Sequence, residues 1–209
     1  MSIIKKDDVI HYHQKLNDDV VNNIYNTFTG PVNWFYNEKT VDFDYDNSKS
    51  NLKESQQFTH TIKVEDTDVV PSIATNDKTQ FSHLWNEVQP FLSNVSSVIG
   101  VNQLYVKRMK ANLLIPQPNF NRGDFHPPHW DTVYDDCFSM VYYVNDSDGP
   151  TYIFDRFWPD NPKGMKILKE VNPKKGDFVL FNSKRWHASS NPIINSNRIV
   201  LNIVVQLDK

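Results

Sequence analysis

Residues 104–115 read LYVKRMKANLLI, and from this run onward the apolar period changes from 3.6 residues to 2. CFSMVYYVN (137–145), TYIFD (151–155), GDFVLFN (176–182) and RIVLNIVVQL (198–207) continue it. These runs are rich in β-branched and aromatic residues and are parted by clusters of Pro, Gly, Asn and Asp. Five such strands with no helix between them predict an antiparallel sandwich or jelly roll rather than a βαβ sheet.

Upstream the signals are helical. Asn17 is suited to cap a helix, Asp18 and Asp19 suit its first turn, and Leu16 can staple onto Val21. Val20, Ile24 and Phe28 then repeat at helical spacing until Gly30-Pro31. A second apolar series runs Phe81, Leu84, Trp85, Val88, then Leu92, Val95 and Ile99; Pro90 interrupts it and Gly100 closes it. WFY (34–36), VDFDY (41–45) and FTHTIKV (58–64) have strand character. The polar stretch from Asp44 to Gln57 is the nearest thing to a mobile loop. No repeat or low-complexity linker divides the chain. The expectation is one α+β domain over 1–209, with helical support and extra strands in 1–103 and the β core in 104–209.

Composition excludes several functions. The 209 residues are 39% hydrophobic, enough to bury a core without staples. The net charge of −3 disfavours a nucleic-acid partner. The KRMK cluster at 107–110 does not change that, because Lys107 and Arg108 point to opposite faces of one strand. The single cysteine, Cys137, rules out an intrachain disulfide and an all-cysteine metal site, and reads as a plain buried or loop thiol. MSIIKKDDVIHYHQK at the start is too polar for a signal h-region, and no stretch reaches the ~18 apolar residues of a membrane span. The expected location is a reducing compartment, the cytoplasm, with no membrane partner.

Seven histidines are candidates for chemistry. His11 and His13 lie in a polar segment, His60 alternates with threonines, and His83 falls on a polar helix flank; all four read as solvated. FHPPHWD (125–131) is different. His129 and Asp131 are separated by one residue, so in an extended strand they share a face and can grip one ion. His187 follows a strand at a turn, a position that meets a facing strand in a jelly roll. Two His and one carboxylate on one octahedral face form the triad of non-haem Fe(II) oxygenases. An H-x-D pair alone arises by chance, and its plain alternative is a surface or hydrogen-bonded pair. Pro127 and Pro128 bring His126 to the same side as His129. A metal role for His126 would displace Asp131, so His126 reads as supporting the site or facing substrate. Arg198 opens a buried strand, where a guanidinium needs an anion. A bidentate ligand carboxylate is the natural partner; a salt bridge to one of the 25 acidic residues is the alternative.

Taken in order, H-W-D at 129–131, SMVYYVND (139–146), DGPTYIFD (148–155), GDFVLFNSKRWHASSNP (176–192) and Arg198 resemble the iron/2-oxoglutarate-dependent oxygenase superfamily. More narrowly they are similar to its prolyl-4-hydroxylase-like branch. The resemblance covers about residues 104–207. It implies a double-stranded β-helix core of the jelly-roll, cupin-like class, with His129, Asp131 and His187 as iron ligands. Arg198 would bind the distal carboxylate of 2-oxoglutarate, helped by Tyr143. Alternation agrees, since Val141 and Tyr143 share a face and Tyr142 points away. By the same matching Thr151, Ser189 and Asn202 line the cosubstrate pocket. Some relatives add a tyrosine on the first core strand; here Met109, Ala111 and Leu113 are expected on its inward face and Asn112 on the other.

The cofactors implied are Fe(II), 2-oxoglutarate and O2, with ascorbate open as a reductant. The implied reaction hydroxylates a C–H bond and releases succinate and CO2, with no catalytic residue beyond the metal ligands. The absence of soft ligands suits Fe(II) better than structural zinc. A peptidyl proline is the substrate the likeness favours; a free small metabolite stays open. The loops IPQPNFNRGDF (115–125) and DRFWPDNPKGMK (155–166) would flank the mouth of the barrel. Two other classes compete. A non-catalytic jelly-roll binding module would be expected to lack part of the triad. A cupin-type metal enzyme would want a His-x-His pair, and the pair at His11 and His13 precedes the sheet.

Overall fold

In the computed structural model residues 4–40, 52–65 and 80–208 are described. The elements in chain order are β1 (Val9–Tyr12), α1 (Asp18–Thr29), β2 (Phe35–Asn37), β3 (Gln57–Val64), β4 (Gln80–Phe81) and α2 (Gln89–Ile99). Seven strands then follow: β5 (Leu104–Leu114), β6 (Cys137–Tyr143), β7 (Thr151–Phe157), β8 (Ile167–Val171), β9 (Phe178–Asn182), β10 (Arg185–Ser189) and β11 (Arg198–Leu207).

The helices form where local chemistry places them. The Asn17 side chain accepts from the Asp19 amide at 2.8 Å, satisfying one of the donors that α1 leaves open. Pro90 does not interrupt a helix. It sits in the first turn of α2, where its missing N–H costs nothing, and the apolar residues before it form β4 and a short 3₁₀ turn at 83–85. Gly100 ends α2 in the left-handed conformation at φ 80°. WFY and FTHTIKV supply β2 and β3 as expected. VDFDY (41–45) and the first part of the polar stretch, 44–51, lie outside the described residues. At the far end of that stretch Leu52 bridges Phe125 in parallel.

Two antiparallel sheets make the β core. The larger runs β1-β9-β6-β11-β5-β3-β2, with β4 on β3; the smaller runs β10-β7-β8. The segment at His129 joins the smaller sheet through a bridge to His187 on β10. From β5 the chain passes between the layers, β5 to the His129 segment, to β6, to β7 and β8, to β9, to β10, to β11. This is the double-stranded β-helix.

Strand alternation divides the apolar residues into three clusters. One face of the large sheet carries Met140, Tyr142, Phe178, Leu180, Leu201 and their neighbours against both helices. Its other face carries Val141, Tyr143, Val179, Phe181 and Val200, which meet Ile153 and Val171 of the small sheet. Tyr152, Phe154, Trp186 and Ala188 turn outward from the small sheet onto Leu52, Phe125 and Met165. No helix of the described residues is long and apolar enough to cross a membrane.

α2 is fixed to the sheet by Phe91, which is 1% exposed and has its ring 4.7 Å from that of Tyr142 on β6. Phe91→Ala should lower unfolding free energy by about 3–5 kcal/mol in a urea titration, with the helix detached before the sheet melts.

Candidate metal centre

His129 and His187 face each other across the two backbone hydrogen bonds of their bridge, each 2.9 Å long. Their rings are 4.3 Å apart between centroids. Asp131, two residues on, donates its amide to the Ser183 carbonyl at 2.9 Å, which turns its side chain into the same space. One ligand atom from each of the three lies within 4.8 Å of the other two. The two histidines each carry an orphaned ring nitrogen: His129 Nδ1 and His187 Nε2 are buried without a hydrogen-bond partner. His187 Nδ1 lies 3.0 Å from the Arg185 carbonyl, which assigns the proton to Nδ1 and leaves the Nε2 lone pair aimed at the site. Nε2 is 3.3 Å from Asp131 Oδ2 but does not form a hydrogen bond with it.

Electrostatics keep the donors in ligand-ready states. Burial pushes the Asp131 carboxyl up, but Arg108 and then His187 outweigh it and hold it well below the ordinary carboxylate range. Burial, reinforced by His187, lowers His129 to about 3, so it is a neutral imidazole. The three fit a hard or borderline divalent cation that takes nitrogen and oxygen donors.

Arg198 sits 2% exposed at the start of β11. Its Nε donates to the Gly149 carbonyl at 2.7 Å and its Nη2 to Thr151 Oγ1 at 2.8 Å. Tyr143 donates its hydroxyl to the same Thr151 oxygen at 3.0 Å. Burial lowers the Arg198 guanidinium to about 10, which leaves it charged at neutral pH, and burial pushes the Tyr143 hydroxyl up to about 12. Among the described residues Arg198 has no carboxylate partner. Thr151 pairs with Ser189 and Ile153 with His187 across β7 and β10. The Arg198 pocket therefore lies one step of the inward face, ~7 Å, beyond His187.

The structure brings Arg198, Tyr143 and Thr151 together, and places Ser189 beside them through its pairing with Thr151. Ser189 Oγ is 2.9 Å from Nδ1 of His126, whose Nε2 is 2.9 Å from Ser55 Oγ. His126 is therefore a buried brace outside the metal group, lowered to about 3 by burial and then by Arg198. Asn202 keeps to the same face of β11 but accepts from Arg108, at 3.3 Å, rather than lining the Arg198 end. Cys137 is a buried free thiol pushed up to about 11 by burial.

Three expectations need correction. Met109 and Ala111 face the helices, not the barrel interior, and Leu113 packs with them. The register of β5 on β11 slips between Val106 and Arg108, and this bulge turns Arg108 toward the site, where it pairs with Asp131. His60 is buried, with Nδ1 2.9 Å from the Asn33 carbonyl. His11 and His13 are not simply solvated, since their ring nitrogens lie 3.0 and 2.8 Å from Oδ2 of the buried Asp177. Arg108 and Ser139, whose hydroxyl donates to Asp131 at 2.5 Å, are site residues that sequence reading missed. A charged residue one position off the alternation was the available signal.

Comparison with solved structures agrees with this architecture. The chain is similar to an oxidoreductase of the 2OG-Fe(II) oxygenase family from Burkholderia pseudomallei, with TM-score 0.63 and 12% identity over 96% of this chain and 87% of that one. It is also similar to the non-heme alpha-ketoglutarate-dependent epimerase SnoN of nogalamycin biosynthesis, with TM-score 0.59 and 10% identity over 96% and 79%. A prolyl hydroxylase from Trichoplax adhaerens, solved with a hypoxia-inducible-factor peptide fragment, gives TM-score 0.54 and 12% identity over 97% and 84%. No protein-family model and no curated protein matches the sequence. The chain has the double-stranded β-helix fold of the 2OG-Fe(II) oxygenases.

Gly149 accepts a hydrogen bond from Arg198 Nε at 2.7 Å through its carbonyl. A Cβ there would sit 2.5 Å from the Ser190 carbonyl oxygen, a backbone atom with little room to yield. Gly149→Ala should destabilise the protein by about 1–3 kcal/mol, read by urea unfolding, because the strand after it carries Thr151.

Proposed function

We propose that this chain is an Fe(II)- and 2-oxoglutarate-dependent oxygenase that hydroxylates a C–H bond and releases succinate and CO2. The observation that carries the proposal is a pair of buried, unpartnered imidazole nitrogens beside Asp131, with a carboxylate-free buried guanidinium one strand step away. His129, Asp131 and His187 would hold the iron. Arg198, with Tyr143 and Thr151, would take the distal carboxylate of 2-oxoglutarate, whose five-carbon length suits that spacing. Ser189 would close the tail end, and Asn202 would act at the metal end through Arg108. When bound, iron and cosubstrate supply the oxidising power for C–H cleavage by O2.

The rest is done by the chain's own groups. The Arg198 fork fixes the cosubstrate tail, and Val179, Phe181 and Ile153 exclude water beneath it. Phe181 stands edge-on to His187 at 4.9 Å and limits the swing of that ring. Ascorbate serves in the assay as a reductant. A peptidyl proline is the first substrate to test, since one similar structure holds a peptide, and a free metabolite is the second, since SnoN was solved with nogalamycin RO. We assign all of this to one domain over 1–209 and place the protein in the cytoplasm.

Anaerobic addition of Fe(II) and 2-oxoglutarate should produce a visible metal-to-ligand charge-transfer band. His129→Ala, Asp131→Ala and His187→Ala should each abolish Fe(II) retention in calorimetry while thermal unfolding stays cooperative; His126→Ala should spare it. Iron retained by any of the first three removes that residue from the triad.

Arg198→Ala should weaken 2-oxoglutarate far more than iron, by about 2–5 kcal/mol or roughly 30- to several-thousand-fold. Tyr143→Phe should cost less, about 1–3 kcal/mol. Uncoupled conversion of 2-oxoglutarate to succinate reads both without the prime substrate. An unchanged half-saturating concentration in Arg198→Ala would overturn the cosubstrate assignment.

A further inference from the structure

Arg108 is the charged group that touches the triad from outside it. Its side chain is 7% exposed and that of Asp131 is 2%, so the pair is shielded from solvent. Nη2 of Arg108 donates to Asp131 Oδ1 and, at 3.3 Å, to Asn202 Oδ1. Its Nε is buried with no partner. The other carboxylate oxygen, Oδ2, accepts from Ser139 and faces His187 Nε2. The two oxygens of Asp131 thus have different tasks. Oδ1 is tied to a cation from β5, and Oδ2 is presented to the imidazoles.

We propose that Arg108 is a positioning residue that restricts Asp131 to ligation through Oδ2 and, by its own charge, holds down the affinity of the centre for a divalent cation. The inference rests on the metal-centre reading above. A full positive charge one carboxylate away from a bound cation repels it, and burial leaves that repulsion unscreened. The same charge attracts a dianion entering beside the metal. The two effects add, so the coupling between cation and anion is left to their own mutual attraction. Asn202 braces the guanidinium so that it does not swing clear. A merely structural ion pair predicts the opposite sign, since breaking it would loosen Asp131 and weaken the metal.

Mn(II) is the probe, read by electron paramagnetic resonance on the full chain with and without saturating 2-oxoglutarate. The gain that 2-oxoglutarate brings to Mn(II) in the unmodified protein is the reference. Arg108→Met removes the charge at similar bulk and leaves Asp131 seeking a cation. Mn(II) alone should then bind roughly threefold to tenfold tighter, and the gain from 2-oxoglutarate should stay within about threefold of that in the unmodified protein. Arg108→Lys keeps a charge without the fork and should stay within about threefold of the unmodified protein, so it decides the matter if the Met variant does not fold. Weaker or unchanged Mn(II) binding in folded Arg108→Met would overturn the inference. So would a loss of Mn(II) affinity beyond tenfold in Arg108→Lys. If the unmodified protein binds no Mn(II) under either condition, the metal-centre reading itself fails.

Discussion

A carboxylate shut away from water persists as an anion only where donors and cations surround it. Asp131 is where this fold meets that requirement. Arg108 comes from β5 and Ser139 from β6; the backbone amide of Asp131 donates to the Ser183 carbonyl in the turn after β9, and His187 of β10 faces the carboxylate. Both sheets therefore converge on one side chain. Their spacing at the site is set by polar contacts of fixed length rather than by apolar packing, which tolerates sliding.

The interior between the sheets can hold so many polar groups because stability is supplied elsewhere. The largest apolar cluster lies between the large sheet and the helices, and a second covers the outside of the small sheet. The cluster between the layers is small, and two of its members, Tyr143 and Phe181, touch site residues. The two-residue period of each strand performs this division. Trp186 and Ala188 pack outward while His187 and Ser189 point in, and Tyr142 packs on α2 while Tyr143 reaches Thr151.

Alternation was also what made the fold legible. The strand runs, the capped α1, the shared face of Val141 and Tyr143, and the meeting of His129 with Asp131 all follow from local spacing. What could not be read depends on events between strands. The slip near Lys107 reverses the faces of β5, and its one local sign is the charge of Arg108, a position off the alternation. Asp177 is far in sequence from His11 and His13, so polar neighbours made those histidines look solvated. His60 alternates with threonines as a surface residue would, yet β2 and the segment at Asn33 cover it. Pro90 reads as a breaker until the start of α2 is known.

The clamp at Asp177 bears on how the sheet meets other molecules. Among the described residues β1 is the last strand on its side, and it covers the free edge of β9. Four residues of backbone pairing would hold a strand weakly. The buried carboxylate adds contacts to His11 and His13 and accepts the Gln14 amide at 3.1 Å, so the strand is anchored at one end. Peeled away, it would expose the β9 backbone as a template onto which a strand of another chain could zip. The histidine pair thus ties down the strand that covers the row of amides and carbonyls one strand away from Tyr143.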